Sequence, residues 1–219
     1  MEHTICGVGV LDKSLAIVRA VEGASGPSSL QDLVEATGFA KATTHRLSAA
    51  LEAHGLLRRT ADGRYALSLA LVALGHQAAE SWPLGEVARP FLEDLRRTTG
   101  ESVQLYVREG DHRVCMLSLE SPHELRTIVA EGARLALDVG SAGRILLGHH
   151  LGAPWIASVE ERATGVASVS APVVVDGTVT AAIGISGPLG RLGVDPGPRF
   201  GPAVAQAAAA ISAARWSAG

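Results

Sequence analysis

Apolar residues along the first third of the chain recur at helical spacing. Leu11, Leu15, Val18 and Val21 give a first helix over residues 11–23, which Gly23 stops. After the turn-like residues 23–27, Ser28 and Gln31 have capping-box spacing, and Leu30, Leu33 and Val34 supply the buried stripe of a second helix. Gly38 ends it, a third helix runs over residues 40–54, and Gly55 closes that one. Two short extended pieces, 56–60 and 65–67, flank the turn dipeptide Asp62-Gly63. Three short helices followed by a hairpin outline a winged helix. Residues 68–81 predict a linker helix, and residues 84–98 another that Gly100 stops.

Beyond Gly100 the period changes. Residues 102–108, 112–120 and 125–130 alternate or run apolar as strands do, and 141–150 form a short helix after Gly140. Residues 166–175 and 178–186 form two strands across Asp176-Gly177, and a final helix covers 202–216. Antiparallel strands with flanking helices give an α+β second domain. The expected division is 1–67 winged helix-turn-helix, 68–83 linker helix, and 84–219 second domain. No internal repeat is visible.

The second and third helices meet at a tight glycine turn, as in a helix-turn-helix, whose second helix enters the major groove. Its apolar side is assigned to Thr43, Leu47, Ala50 and Leu51. Lys41, Thr44, His45 and Ser48, at i, i+3, i+4 and i+7, then form an outer face able to bond phosphates and base edges. Thr43, at the margin of the apolar side, and Arg46, between the two faces, join the candidate DNA contacts. The hairpin adds Arg58, Arg59 and Arg64. From 41 to 64, five basic residues face two acids, although the 219-residue chain has a formal net charge of −3. A local basic surface is what phosphate attraction needs.

Other chemistries find little support. Cys6 and Cys115 are the only cysteines and lie far apart, so neither a disulfide framework nor a zinc site is indicated. His149 and His150 are adjacent and lack other ligands at metal spacing. Ser141, His112 and Asp138 could be assembled into a triad only on paper, and no GxSxG, GxGxxG or Walker loop is present. No enzyme activity, cofactor or metal is expected. The longest apolar run, 203–214, is too short to span a bilayer, and the N-terminus does not read as a signal peptide, so a cytoplasmic protein is expected. The competing reading is a small-molecule-binding or enzymatic GAF-like protein whose helical N-terminus only dimerises.

Several segments resemble IclR-family transcription regulators: 7–15 (GVGVLDKSL), 37–57 (TGFAKATTHRLSAALEAHGLL), 63–67 (GRYAL), 100–107 (GESVQLYV), 140–147 (GSAGRILL) and the GVASVSAP and GISGP stretches of 165–188. The nearest subgroup by resemblance regulates amino-acid biosynthesis and development in high-GC Gram-positive bacteria. The resemblance covers nearly the whole chain. It implies a winged helix bound to a double-stranded DNA operator, a dimerising linker helix, a homodimer or homotetramer, and a GAF-like domain that binds a small-molecule effector. By position it places ligand contacts at Gly140, Ser141, Ala142, Gly143, Ser158, Ser168, Gly184 and Ser186. Gly184 stands where a polar side chain is usual. The resemblance also implies a further helix-sized segment between Leu147 and Trp155, where this chain has only residues 148–154. The glycine-rich start of the 141–150 helix offers backbone N–H groups to an anion, so the expected effector is a small carboxylate or amino acid.

Overall fold

A computed structural model describes residues 9–80, 82–150 and 152–214. Cys6, the first two residues of the 7–15 motif and the last two of the expected terminal helix fall outside them. The chain divides into two compact units, 1–81 and 82–219.

The first unit contains helices α1 (Gly9–Glu22), α2 (Leu30–Thr37) and α3 (Lys41–Ala53), the hairpin β1 (Leu57–Arg59) and β2 (Tyr65–Leu67), and helix α4 (Ala70–Glu80). Ile17, Val21, Leu33, Leu47, Leu51, Leu57 and Tyr65 form its core. The cap of α2 is displaced one residue from the sequence expectation. Ser28 exchanges two backbone hydrogen bonds of 2.8 Å with Tyr65, which pins it to the hairpin. The capping box therefore falls on Ser29 and Asp32: Ser29 Oγ accepts from the Asp32 amide, and the Asp32 carboxylate accepts from the Ser29 amide at 2.8 Å. These bonds, the backbone one foremost, hold the Asp32 carboxyl below its ordinary pKa. Gly38 takes φ +70° and closes α2 through its N–H on Val34 O.

The second unit is built on a six-stranded antiparallel sheet in the order β5-β4-β3-β8-β7-β6. Its strands are β3 (Ser102–Glu109), β4 (His112–Leu119), β5 (Arg134–Ala136), β6 (Ile156–Val159), β7 (Val166–Val175) and β8 (Thr178–Pro188). Helices α5 (Leu84–Thr99), α6 (Ser141–Leu146), α7 (Leu189–Leu192) and α8 (Gly197–Ala213) accompany it. The two-residue period divides the sheet cleanly. Val103, Leu105 and Val107, Val169 and Val173, and Ile183 and Ile185 pack with Leu92, Leu95, Phe200, Val204 and Ile211 from α5 and α8. Tyr106, Cys115 and Ala182 point to the opposite face, with Ile145 and Leu146 of α6.

Four sequence expectations change here. The helix expected over 141–150 ends at Leu146. Residues 125–130 are not a strand: Thr127 and Val129 are buried and Leu125 and Ile128 exposed, so the alternation is real. No neighbouring strand pairs with them, because Ala133–Ala136 take that edge beside β4. The short strands β5 and β6 were not foreseen. The terminal helix begins at Gly197, five residues early, and Pro202 lies inside it. The short stretch after Leu147 holds no helix among its described residues and leads directly to β6.

Replacing Ser29 with Ala removes the α2 capping box. The first unit should lose about 1 kcal/mol of stability, read from its thermal or urea unfolding.

Candidate functional site

The outward face of α3 differs in phase from the sequence reading. Thr44 and Ser48 are fully buried beside Leu47 and Leu51, while Lys41, His45, Arg46 and Ala50 are exposed and Thr43 is half-buried. Thr44 Oγ1 donates to Ala40 O at 3.3 Å, so a residue assigned to base reading instead satisfies its own helix. The buried stripe 44-47-48-51 is a regular helical one. It was misphased because two of its members are hydroxyl residues. The groups on offer to a ligand are therefore Lys41, His45 and Arg46. The first turn of α3 also has no side-chain cap.

The hairpin arginines are not equivalent. Arg59 Nε pairs with Glu52 at 3.3 Å, its Nη2 donates to Tyr65 Oη at 2.6 Å, and its guanidinium lies 4.6 Å from the Tyr65 ring centroid. Arg64 pairs with Asp62 at 3.2 Å and Asp32 at 3.9 Å and donates to Pro27 O. A hydrogen bond from Thr60 is the main cause of the lowered pKa of Asp62. Arg58 has no ion pair among the described residues, and neither do Lys41 and Arg46. These three cations are free to meet phosphate, whereas Arg59 and Arg64 also hold the hairpin against the helices.

In the second unit, the strand register lines up a polar row on the α6 face. Ser158, Ser168, Ser186 and Ser102 are successive Cα partners across four strands. One step along the strands lie Ile156, Ser170, Gly184 and Gln104. A cavity of about 30 Å³ opens beneath α6, lined by Gly140, Ser141 and Ala142, by Ser158, Ser168, Ser170, Gly184 and Ser186, and by Tyr106, Arg113 and Arg162. Three contacts link four of the hydroxyls. Ser141 Oγ lies 2.8 Å from both Ser168 Oγ and Ser170 Oγ, and Ser158 Oγ lies 2.9 Å from Ser168 Oγ while accepting from the Ser141 amide at 3.2 Å. Ser186 Oγ donates to Gln104 Oε1 at 3.0 Å.

Seven of the eight expected ligand positions thus line one cavity. Gly143 does not. A Cβ there would stand 2.1 Å from Leu137 O and 2.6 Å from Arg113 Nη1, so its role is close approach of α6 to the chain before it. Gly184 is bare because Ser170 fills its space: a Cβ would lie 2.3 Å from Ser170 Oγ. Ser170 was legible as the i+2 neighbour of Ser168, but Arg113, Tyr106 and Arg162 had no sequence signal. Arg113 donates to Ala136 O and to Val139 O (2.6 Å) and lies 5.4 Å from the Tyr106 ring centroid. Burial draws its pKa down. Burial likewise raises Tyr106, which stays a neutral phenol, and pushes the Cys115 thiol up to about 12. Cys115 is a packing residue, not a nucleophile. Among the described residues no three His, Cys, Asp or Glu side chains could hold a metal, and no helix is long and apolar enough to cross a membrane.

A helix-turn-helix with a basic outer face thus stands in one chain with an α+β domain that holds a polar cavity. Comparison with known proteins agrees. Residues 10–61 match the IclR helix-turn-helix domain, and residues 76–153 match the C-terminal domain of bacterial IclR transcriptional regulators. The chain belongs to the IclR family. It is 34% identical over 119 residues to the transcriptional regulator KipR of Bacillus subtilis, covering 54% of this chain and 48% of that protein. The chain thus spans about half the length of that relative. It is 26% identical to the glycerol operon regulatory protein of Streptomyces griseus over 92% of this chain and 94% of that one. That alignment extends over 239 positions, so the relative carries segments that this chain lacks. An IclR-family regulator from Rhodococcus sp. superposes with a TM-score of 0.58 at 28% identity, over 97% of this chain and 96% of that one. An IclR homologue from Microbacterium hydrocarbonoxydans, solved with 4-hydroxybenzoate, shares the fold with a TM-score of 0.78 at 18% identity, over 93% and 97% of the two chains.

Gly143→Ala should destabilise the second unit by about 1–3 kcal/mol, since carbonyl and guanidinium must both move. Urea unfolding followed by tryptophan fluorescence measures this.

Proposed function

We propose that this chain binds a double-stranded operator as a two-fold homodimer and that a small carboxylate or amino acid in the serine-lined cavity changes its operator affinity. The observation that carries the reading is the pairing of unpartnered cations at Lys41, Arg46 and Arg58 with a polar, buried cavity in the same chain. Lys41, His45 and Arg46 present to the major groove, Arg58 to phosphate, and Arg59 and Arg64 shape the hairpin and add charge. Ser168, Ser186 and Ser158 hold the polar part of the effector beside Gly140, Ser141 and Ala142. The M. hydrocarbonoxydans neighbour was solved with an aromatic carboxylate. In this chain the cavity of about 30 Å³ favours a more compact one.

Purified protein should retain specific fragments of genomic DNA, and anisotropy titrations with them give affinities. Arg58→Ala should weaken all sequences alike and lower the salt slope by about one. His45→Ala should cost about 1–3 kcal/mol at one base pair and relax preference there. Ser48→Ala should leave sequence preference unchanged. Identical binding by all three variants, or no salt dependence, overturns the DNA assignment.

The dimer reading rests on helix α4, where Val72 and Leu74 are 59% and 61% exposed and no residue is buried among those described. A helix with apolar residues left in water calls for a partner. Here that partner is a second copy, which implies a pseudo-palindromic operator. Sedimentation should find a dimer at micromolar concentration and a monomer for the Val72→Glu, Leu74→Glu double variant. A monomeric native protein, with and without DNA, refutes this.

A further inference from the structure

The charges around the cavity do not balance within it. Arg113 is 3% exposed, its guanidinium donates to carbonyl oxygens beside an aromatic ring, the Asp138 carboxylate acts on it only from beyond ion-pair distance, and its Nε has no hydrogen-bond partner among the described residues. It has no ion pair among the described residues. A buried guanidinium without a carboxylate is costly, and an anion within reach removes that cost. A second guanidinium, that of Arg162, lines the same cavity and also lacks an ion pair among the described residues. Arg113 Nη2 lies 3.6 Å from the position a Cβ would take on Gly140, and Ser158 Oγ lies 3.9 Å from it.

One carboxylate is already present at this edge. Glu161 Oε2 accepts from the Gly140 amide at 3.0 Å, and Glu161 Oε1 accepts from Arg144 Nη1 at 3.1 Å. Glu161 lies on the turn between β6 and β7, next to Arg162. Within that turn Glu160 takes a left-handed φ of +56°, its amide donates to Val166 O at 2.8 Å, its carboxylate accepts from the Gly165 amide at 2.7 Å, and the Val166 amide donates to Ala163 O at 3.2 Å. The Glu161 side chain is one-third exposed, so it can swing outward and keep Arg144 as its partner.

We propose that Glu161 is a resident carboxylate on the Gly140 N–H at the edge of the cavity, and that the compact carboxylate effector of the preceding reading must displace it there to come within reach of Arg113 and Arg162. The inference rests on the cavity being the effector site, but it concerns what binds there and what must leave. Displacement moves the 160–165 turn and sets the ligand against an internal competitor, which weakens binding and makes it selective. A neutral molecule gives Arg113 no counter-charge and cannot replace Glu161 on equal terms.

Calorimetry on the full-length protein tests this with four probes: pyruvate, malonate, inorganic phosphate and neutral propionamide. At least one carboxylate should bind and propionamide should not. Losing a charge-assisted bond changes affinity by about tenfold. Glu161→Ala should therefore bind that carboxylate about tenfold more tightly, and Glu161→Gln should fall between it and the native protein. Arg162→Gln, on an exposed residue, should weaken binding about tenfold. Arg113→Lys should weaken it too, with circular dichroism confirming the fold. Equal or weaker carboxylate binding by Glu161→Ala overturns the proposal, as does silence from both carboxylates in both proteins. Phosphate binding in place of carboxylate overturns the ligand class. Operator affinity is measured separately. Tighter acid binding by Glu161→Ala without any effect on DNA would sink the regulatory reading and keep this one. A neutral ligand that alters operator binding, with Glu161 variants unchanged, would do the reverse.

Discussion

The guanidinium of Arg113 reaches from the second residue of β4 to the carbonyls of Ala136 and Val139. That clamp fixes where the chain leaves β5, and hence where Gly140 turns and α6 begins. Gly143 then lets α6 settle on Leu137 O and on the guanidinium itself. With α6 placed, Ser141 meets Ser168 and Ser170, and Ala142, Ile145 and Leu146 close the apolar layer around Cys115 and Leu137. The cost of burying the cation is offset in part by two carbonyls and the face of Tyr106. The remainder is met by no ion pair among the described residues.

The reading head uses its cations differently. Arg59 and Arg64 are committed to Glu52, Asp62 and Asp32, exposed pairs that contribute little to stability but set where the hairpin points. Lys41, Arg46 and Arg58 keep their charge for solvent. The division lets a chain of net charge −3 present a positive surface where phosphate would lie. Coupling between the two units needs no continuous path of contacts. On the proposed dimeric reading, a ligand that favours one spacing of two heads shifts that population by its differential affinity, and by no more.

Legibility in the sequence followed the strength of the periodic signal. The hairpin β7–β8 was readable because Asp176 and Gly177, at φ +49° and +77°, are the residues a two-residue turn demands. The α3 stripe was located but turned by one position, because Thr44 and Ser48 are polar in sequence and buried in the fold, one bonded to backbone and the other without a partner. The α2 cap slipped by one because Ser28 serves the hairpin, a tertiary demand that local spacing does not reveal. At the cavity, the serines were reachable through resemblance and register. Arg113 was not: nothing local tells an arginine inside an alternating strand that it will face inward. Glu161 sits in a polar turn, and its bond to Gly140 spans 21 residues.

The economy of the cavity limits what kind of ligand could gain from it. Three contacts already link the hydroxyls of Ser141, Ser158, Ser168 and Ser170, so a ligand hydroxyl or carbonyl that joins them largely exchanges one hydrogen bond for another at little net gain. The free volume of about 30 Å³ leaves almost no apolar area to bury, so the hydrophobic effect cannot supply the difference. What remains is the charge of Arg113, buried and without an ion pair among the described residues. Hydrogen bonds to an ionised group are roughly twice as strong as neutral ones, and they strengthen further in a buried site. On the proposed reading, selectivity in this cavity resides in the anion, while the serine row constrains shape. A short connection between α6 and β6 is compatible with this arrangement: a compact ligand held by charge needs no additional helix to enclose it.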